Sequence, residues 1–190
     1  MAFKEDEFYI SKVAAGDHNA FAGLVDKHKD MVFTIAVKIL RKREDAEEAA
    51  QDAFVKAFNA LGSFKREARF STWLYRIAYN TAISRSRKKQ HEFAAIDEKM
   101  IENYTTDSVS KSINELDAED RISAINTLME KLPEEENLLL TLFYRKEKSV
   151  EEISEITGYS QSNVKVKLYR IRKRMYTDLE KYLKEKEYHG

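Results

Sequence analysis

The most specific pattern for chemistry in this sequence lies between Ser149 and Met175. Ser149 and Glu152 have the spacing of a capping box, and Gly158 is the predicted stop of the short apolar helix that follows it. A second helix is predicted directly afterwards, and no acidic residue occurs from Gly158 to Thr177. A short capped helix, a turn and a basic second helix are the layout of a helix-turn-helix. We therefore predict that this unit binds duplex DNA, because a surface of one charge sign gains affinity through counterion release.

Amide and hydroxyl side chains at the start of the second helix suit base edges in the major groove, and cations along its body suit phosphates. The alternative is a basic, solvated helix in an ordinary bundle, but here the charge run follows a capped helix and a turn. The candidate DNA-binding residues are Ser149, Gln161, Ser162, Asn163, Lys165, Lys167, Arg170 and Arg172.

A second pattern mixes cations with aromatic rings between residues 64 and 89. Cations can follow a phosphate backbone while aromatic rings stack on unpaired bases, so the mixture indicates single-stranded or melting nucleic acid. The alternative is that most of the rings, Trp73 first among them, are core residues at helical spacing. The cations are Lys65, Arg66, Arg69, Arg76, Arg85, Arg87, Lys88 and Lys89, opposed by Glu67, and the rings are Phe64, Phe70, Trp73, Tyr75 and Tyr79.

A third pattern is an acidic helix face. Glu44, Glu48 and Asp52 lie four residues apart and therefore share one side of a helix. A carboxylate metal site is disfavoured, because bundle metal sites commonly combine Glu with His and no histidine lies near this helix. We expect a solvated face or one that docks a basic partner.

Sequence signatures of catalysis do not appear. The histidines, at positions 18, 28, 91 and 189, do not have metal-ligand spacing, and the chain lacks a glycine-rich phosphate loop and a nucleophile elbow. We predict a protein that is not an enzyme, with no cofactor, no metal and no small-molecule substrate.

The elements that must position these residues are predicted to be helices. Five glycines and one proline in 190 residues are too few for the turns of a β-protein, so the predicted fold class is all-α. The absence of cysteine excludes disulfides and thiolate metal sites. The apolar runs are too short to span a bilayer, and the acidic start is unlike a signal peptide, so we predict a soluble cytoplasmic protein.

The helical stripes fall into two small domains. Residues 1–90 contain three predicted amphipathic helices, which begin near Phe21, Ala46 and Ser71. Residues 121–190 contain a stripe from Ile122 to Leu132, a helix opened by Pro133 and the helix-turn-helix. Residues 91–120 lack a sustained period and are strongly acidic, so we predict a flexible acidic linker between the domains.

In this order the three patterns resemble the extracytoplasmic-function (group IV) sigma factors of bacterial RNA polymerase, over nearly the whole chain. The stretch 45–54, DAEEAAQDAF, resembles the core-binding region of the family's domain two. The stretch 64–80, FKREARFSTWLYRIAYN, is similar to its promoter-melting and minus-ten segment and is the most specific match. Leu132-Pro133 with residues 149–174 resembles domain four. The chain departs from the pattern at Arg66, where glycine is common, and at Ser84, where aspartate is common.

The resemblance implies a transcription initiation factor without catalysis of its own. Asp45, Glu48, Gln51 and Asp52 would dock on the polymerase clamp, and Leu138, Leu139 and Leu142 would meet the flap. Minus-ten DNA would contact Phe64, Lys65, Arg66, Arg69, Arg76, Asn80, Arg85, Arg87 and Lys88, and the helix-turn-helix residues named above would read the minus-thirty-five element. The resemblance also implies the partners promoter DNA and an anti-sigma protein, often membrane-bound.

Two other classes of protein remain open at this point. A helix-turn-helix repressor or response-regulator output domain would bind duplex DNA without polymerase, but it has no reason to carry the acidic helix and the melting segment. A helical, carboxylate-dependent nuclease would require a metal that this histidine-poor sequence does not predict.

Overall fold

The structure is a computed structural model that describes residues 2–90 and 118–189. Within those residues it contains helices and no strand, so the predicted all-α class with two small helical domains is confirmed. The predicted linker 91–120 lies outside the described residues except for its last three, which belong to a helix. The α-helices are α1 Ala2–Ala14, α2 Phe21–Leu40, α3 Arg43–Ala60, α4 Phe70–Gln90, α5 Ala118–Lys131, α6 Glu134–Leu140, α7 Val150–Thr157 and α8 Gln161–His189.

The N-terminal unit, α1 to α4, is built on the apolar stripe of α2. Leu24, Val32 and Ile35 are fully buried there, and α3 and α4 both pack against this helix. Alanines face α2 from α3, which lets the two helices approach closely. The sequence correctly predicted α2, α3 and α4.

Helix α1 was not predicted from the sequence. It packs on α2 through Ile10 and Val13, and the ring of Tyr9 lies across Gly23. A Cβ atom on Gly23 would be 2.3 Å from Cε1 of Tyr9, so a larger residue here would displace the Tyr9 ring. The buried face of α1 also contains Asp6, and an acid on the core side weakens the helical pattern in the sequence.

The C-terminal unit consists of α5 to α8. Pro133 is the N-cap of α6, and a π-helical turn at Thr141–Arg145 extends that helix. The stripe predicted on α5 is only partly correct, because Ile122 and Ile125 are exposed whereas Leu128 and Met129 are buried. The core side of α5 is therefore narrower than its apolar sequence indicates.

The two units share one hydrophobic core. Helix α7 packs against α4, and α6 packs against α2. Arg41, at the end of α2, places Nε 2.9 Å from Oε1 of Glu134 and donates through Nη2 to the carbonyl of Leu132 at 2.9 Å. The packing of α7 against α4 places the helix-turn-helix beside the aromatic and basic segment.

Candidate functional site

The helix-turn-helix has the predicted local geometry. The backbone N–H of Glu152 donates to Oγ of Ser149 at 3.0 Å, and Oε2 of Glu152 accepts from the N–H of Ser149 at 3.0 Å. Gly158 ends α7 in the left-handed conformation, with φ of 80°, which a glycine adopts without strain. The capping box and the glycine stop are thus confirmed.

The start of α8 presents its polar residues to solvent. Oγ of Ser160 accepts from the N–H of Asn163 at 3.2 Å, which identifies Ser160 as the cap of this helix. Val164, Leu168 and Ile171 are buried on the other side of α8. The exposed residues are Gln161, Ser162, Asn163, Lys165, Arg170 and Arg172, whereas Lys167 is half-buried.

Three cations of α8 also contact the protein itself, and one of them, Arg174, forms an ion pair with Glu136. Nζ of Lys167 lies 4.7 Å from the centroid of the Tyr159 ring, and Nε of Arg172 donates to the carbonyl of Leu168 at 3.2 Å. These contacts hold Lys167 and Arg172 beside the helix surface, and Lys165 and Arg170 are exposed on it.

The loop before α4 forms a pocket of about 330 Å³. Arg66 stands in this loop with φ of 61°, a conformation that favours glycine, and its Nε lies 3.4 Å from Oε2 of Glu7. The pocket is lined by Ser63, Phe64, Lys65, Arg66, Glu67, Ala68, Thr72, Trp73, Arg76 and Glu155.

The aromatic residues of this segment divide into two groups. Phe70, Tyr75 and Tyr79 are buried, so the core interpretation is correct for them. Phe64 and Trp73 are half-buried with ring centroids 5.1 Å apart, and both line the pocket. Only these two rings are placed where they could stack on a base.

One face of α4 continues from the pocket. Trp73, Arg76, Asn80 and Arg87 are separated by three, four and seven residues, so they lie along the same side of the helix. Arg76, Asn80 and Arg87 are exposed, as is Arg69 just before the helix. Lys88 also belongs to α4, but its side chain lies outside the described residues.

Arg85 lies apart from that face. Its Nη1 is 2.9 Å from Oε2 of Glu48 and its Nη2 is 2.5 Å from Oδ2 of Asp52, both on α3. Glu48 and Asp52, which are predicted to bind polymerase, thus form one cluster with Arg85, which is predicted to bind DNA. Gln51 is exposed beside it, and Asp45 is half-buried.

The leucines predicted to meet the polymerase flap have no exposed surface in this arrangement. Leu138, Leu139 and Leu142 are each 0 % exposed, and they belong to the core shared by the two units. Their predicted contact with the flap is not available in this conformation.

A buried polar chain connects α1, α2 and α4. Nδ1 of His28 lies 3.1 Å from the hydroxyl of Tyr75, and Nε2 lies 3.1 Å from Oδ1 of Asp6. Burial lowers the pKa of His28, although Asp6 acts in the opposite direction, and burial raises the pKa of Tyr75 to about 12. The tyrosine O–H therefore donates to Nδ1, and the assigned tautomer has Nε2–H donating to Asp6.

The structure adds residues to the pocket that the sequence did not indicate, and Glu155 is the most distant of them in sequence. Glu155, on α7 of the C-terminal unit, lines the pocket formed by the loop of the N-terminal unit. Neither charge pattern nor helical spacing connects residues so distant in sequence.

Within residues 2–90 and 118–189, no group of three or more His, Asp or Glu side chains is placed to hold a metal ion. No helix in these ranges is both long enough and apolar enough to cross a membrane.

Two family models match the chain in the order of the two helical units. The model for Sigma-70 region 2 matches residues 24–92, and the model for Sigma-70, region 4 matches residues 122–175. The first match contains the pocket-forming loop and the acidic face, and the second contains the helix-turn-helix.

Full-length relatives match as well. The chain is 35% identical over 168 residues to the ECF RNA polymerase sigma factor SigW of Bacillus subtilis strain 168, which covers 85% of this chain and 89% of the relative. It is 30% identical over 190 residues to the RNA polymerase sigma-H factor of Pseudomonas aeruginosa, and this match covers 96% of this chain and 97% of the relative.

A solved structure has the same fold. The sigma factor RpoE from Bartonella quintana, in complex with the anti-sigma factor NepR, matches with a TM-score of 0.58 at 23% identity. The match covers 85% of this chain and 96% of that one.

Proposed function

The chain belongs to the ECF sigma factors of RNA polymerase, and from that premise we propose how its residues perform the work of a promoter-specificity factor. The observation that supports the assignment most strongly is a cation-lined pocket with two accessible aromatic rings on the same chain as an exposed recognition helix. A protein that opens a promoter needs a site for unpaired bases, which the pocket supplies. A protein that reads duplex DNA needs an exposed recognition helix, which α8 supplies.

Residues 121–190 form the domain that reads the minus-thirty-five element. Gln161, Ser162 and Asn163 are exposed at the start of α8, where a recognition helix meets base edges. Lys165 and Arg170 contact phosphates, with Lys167, Arg172 and the cap residue Ser149 at the edges of the same surface.

Residues 1–90 form the domain that captures the minus-ten strand. An unpaired base enters the pocket and stacks on Phe64 or Trp73, while Lys65 and Arg66 contact the neighbouring phosphates. Extruding a base costs a few kcal/mol, so capture in the pocket lowers the cost of melting. The captured strand then follows α4. Its contacts there are Arg69, just before the helix, and Arg76, Asn80, Arg87 and Lys88. Arg85 contacts the strand as well if it leaves the carboxylates of α3.

The acidic cluster of α3 docks on core RNA polymerase. Asp45, Glu48, Gln51 and Asp52 face the clamp, and Arg85 holds Glu48 and Asp52 in position. Contact of Leu138, Leu139 and Leu142 with the flap requires the C-terminal domain to leave its place against α2, since these leucines are fully buried.

The segment between α4 and α5 is a linker that allows the two domains to separate. The protein acts in the cytoplasm as a non-enzymatic initiation factor. An anti-sigma protein inhibits it, as the complex of the similar RpoE with NepR suggests. A helix-turn-helix regulator that works without polymerase is not favoured, because such a protein has no use for the pocket or for the acidic cluster.

Binding to purified core RNA polymerase tests the proposal. A fluorescently labelled chain should bind core polymerase as one copy per enzyme, and unlabelled chain should displace it. A chain that dimerises and binds duplex DNA but ignores core polymerase would instead support the regulator.

A further inference from the structure

Tyr159 lies in the turn of the helix-turn-helix, two residues before the start of α8. Both of its backbone polar groups have partners, because its carbonyl accepts from Oγ of Ser154 at 2.5 Å and its N–H donates to Oγ1 of Thr157 at 3.4 Å. Its ring is half-buried and packs against the hydrophobic core. The turn therefore holds this tyrosine in one place beside α8.

The hydroxyl of Tyr159 also has a partner. It donates to Oε1 of Glu135, in the first turn of α6. The next residue of α6, Glu136, forms an ion pair with Arg174 of α8. Two consecutive acids of α6 thus bind the turn and the body of the recognition helix, and the first of them fixes the orientation of the Tyr159 ring.

The ring of Tyr159 holds the side chain of Lys167. Nζ of Lys167 lies 4.7 Å from the centroid of this ring, which is within the range of a cation–π contact. Lys167 is half-buried, whereas Lys165, one turn of spacing earlier on the same helix, is exposed. A lysine loses side-chain freedom when it contacts a partner, and a ring that already holds it removes part of that loss.

Lys167 lies beside groups that are assigned to duplex DNA. It follows Asn163 by four residues and precedes Arg170 by three, so the three side chains share one side of α8. Asn163 and Arg170 are both exposed there. An ammonium held at this place suits a phosphate next to the base edges that the start of α8 reads.

We infer that Tyr159 is a positioning residue for duplex reading: its ring holds the Lys167 ammonium where that ammonium contacts a phosphate. The inference rests on the proposed function of α8 as the recognition helix. Tyr159 acts through Lys167 and does not contact DNA itself. A tyrosine that only stabilised the turn would affect binding whatever residue stood at position 167.

A double-mutant cycle separates these two roles. Tyr159→Leu removes the ring without changing the net charge, and it should weaken binding of the full chain to a random-sequence duplex pool about threefold. Lys167→Ala should weaken binding at least as much, and adding Tyr159→Leu to it should have no further effect. Lys165→Ala is the matched control background, in which Tyr159→Leu should keep its full effect.

The cycle also gives the results that would contradict the inference. An equal loss from Tyr159→Leu in the native and Lys167→Ala backgrounds would show that the tyrosine acts on the turn and not on the lysine. Native affinity in Tyr159→Leu would show that the ring has no role in binding. Tyr159→Phe keeps the ring and should bind within about twofold of the native chain, and binding as weak as that of Tyr159→Leu would again exclude the ring contact.

Nuclear magnetic resonance of the full native chain measures the contact without DNA, so the test does not depend on how well Tyr159→Leu folds. The ε-methylene protons of Lys167 should resonate upfield of those of Lys165, because they lie near the face of an aromatic ring. Lys167→Arg identifies the signal by removing it. Equal shifts for the two lysines would overturn the inference. Failure of every version to bind the duplex pool, with the upfield shift present, would instead overturn the proposed role of α8.

Discussion

Arg85 on α4 forms an ion pair with Asp52 on α3, with 2.5 Å between Nη2 and Oδ2. Its other terminal nitrogen binds Glu48, one turn earlier on α3. The guanidinium therefore fixes two carboxylates in one orientation on the predicted polymerase-binding face. A preoriented acidic pair suits recognition of a basic partner, because little side-chain freedom is lost on binding.

Charge reversal on this face should weaken polymerase binding. Glu48→Lys with Asp52→Lys places two cations beside Arg85 and opposite a basic clamp, so we expect at least a tenfold loss of affinity for core polymerase. Fluorescence anisotropy with labelled chain measures it. Glu47→Lys, on the same helix but paired with Arg43, is the control and should change affinity little. Unaltered affinity in the double variant would show that α3 does not dock.

Removing an exposed cation of α8 should reduce the salt dependence of duplex binding. Lys165→Ala or Arg170→Ala removes one phosphate contact, which should lower the slope of log K against log salt by about 1. Titration of a random duplex pool at several salt concentrations measures the slope. Lys181→Ala, also exposed on α8 but far from its start, should retain the native slope. An unchanged slope in the first two variants would place the duplex elsewhere.

Arg66 should be a strained position. Its φ of 61° destabilises the folded chain when the residue has a Cβ, and it causes no such strain in glycine. The ion pair between Arg66 and Glu7 is exposed and therefore stabilises the fold only weakly. We expect Arg66→Gly to raise the free energy of unfolding by about 1 kcal/mol in urea denaturation. The neighbouring change Lys65→Gly should lower it, because Lys65 does not have a positive φ. A loss of stability in Arg66→Gly would show that the side chain contributes more than the strain costs.

Stability should decline in mild acid because of His28. Burial lowers the pKa of His28 below its ordinary value of 6.5, so the unfolded chain takes up the proton more readily than the folded one. The stabilisation is complete above about pH 6.5 and is lost as the pH falls below it.

Thermal unfolding from pH 7.5 to 5.5 measures that effect. The melting temperature of the native chain should fall across this range. That of His28→Gln should fall less, although the variant is less stable throughout because Tyr75 and Asp6 each lose a hydrogen bond to the imidazole. His18→Gln, at an exposed position, should keep the native dependence. Equal dependence in His28→Gln and the native chain would assign the acid sensitivity to other groups.

The sequence was informative where one local rule decided the structure. The stripe Val164, Leu168 and Ile171 predicted α8, and the capping box with Gly158 predicted α7 to the residue. Contacts between distant segments could not be predicted in this way. The buried carboxylate of Asp6 is paired with Lys27 and His28 of α2. In the sequence alone, Asp6 is only a charge that interrupts the apolar pattern of α1.

In the candidate site, too, the residue types could be predicted from the sequence but the contacts between distant segments could not. The cations and rings around residues 64–80 indicated a nucleic-acid segment, but only packing separates the buried Phe70 and Tyr75 from the accessible Phe64 and Trp73. Glu155 reaches the pocket because two domains close on each other, and no helical period encodes that contact. Arg85 carried the right charge for DNA, and its carboxylate partners became visible only in the fold.

Reconstituted transcription tests the central claim, that this chain directs RNA polymerase to promoters. Core bacterial polymerase, with and without the purified chain, would transcribe a pool of genomic fragments, and sequencing would locate the transcript starts. We predict starts that appear only with the chain and share paired upstream elements. No added starts, from a chain that binds duplex DNA on its own, would contradict the claim.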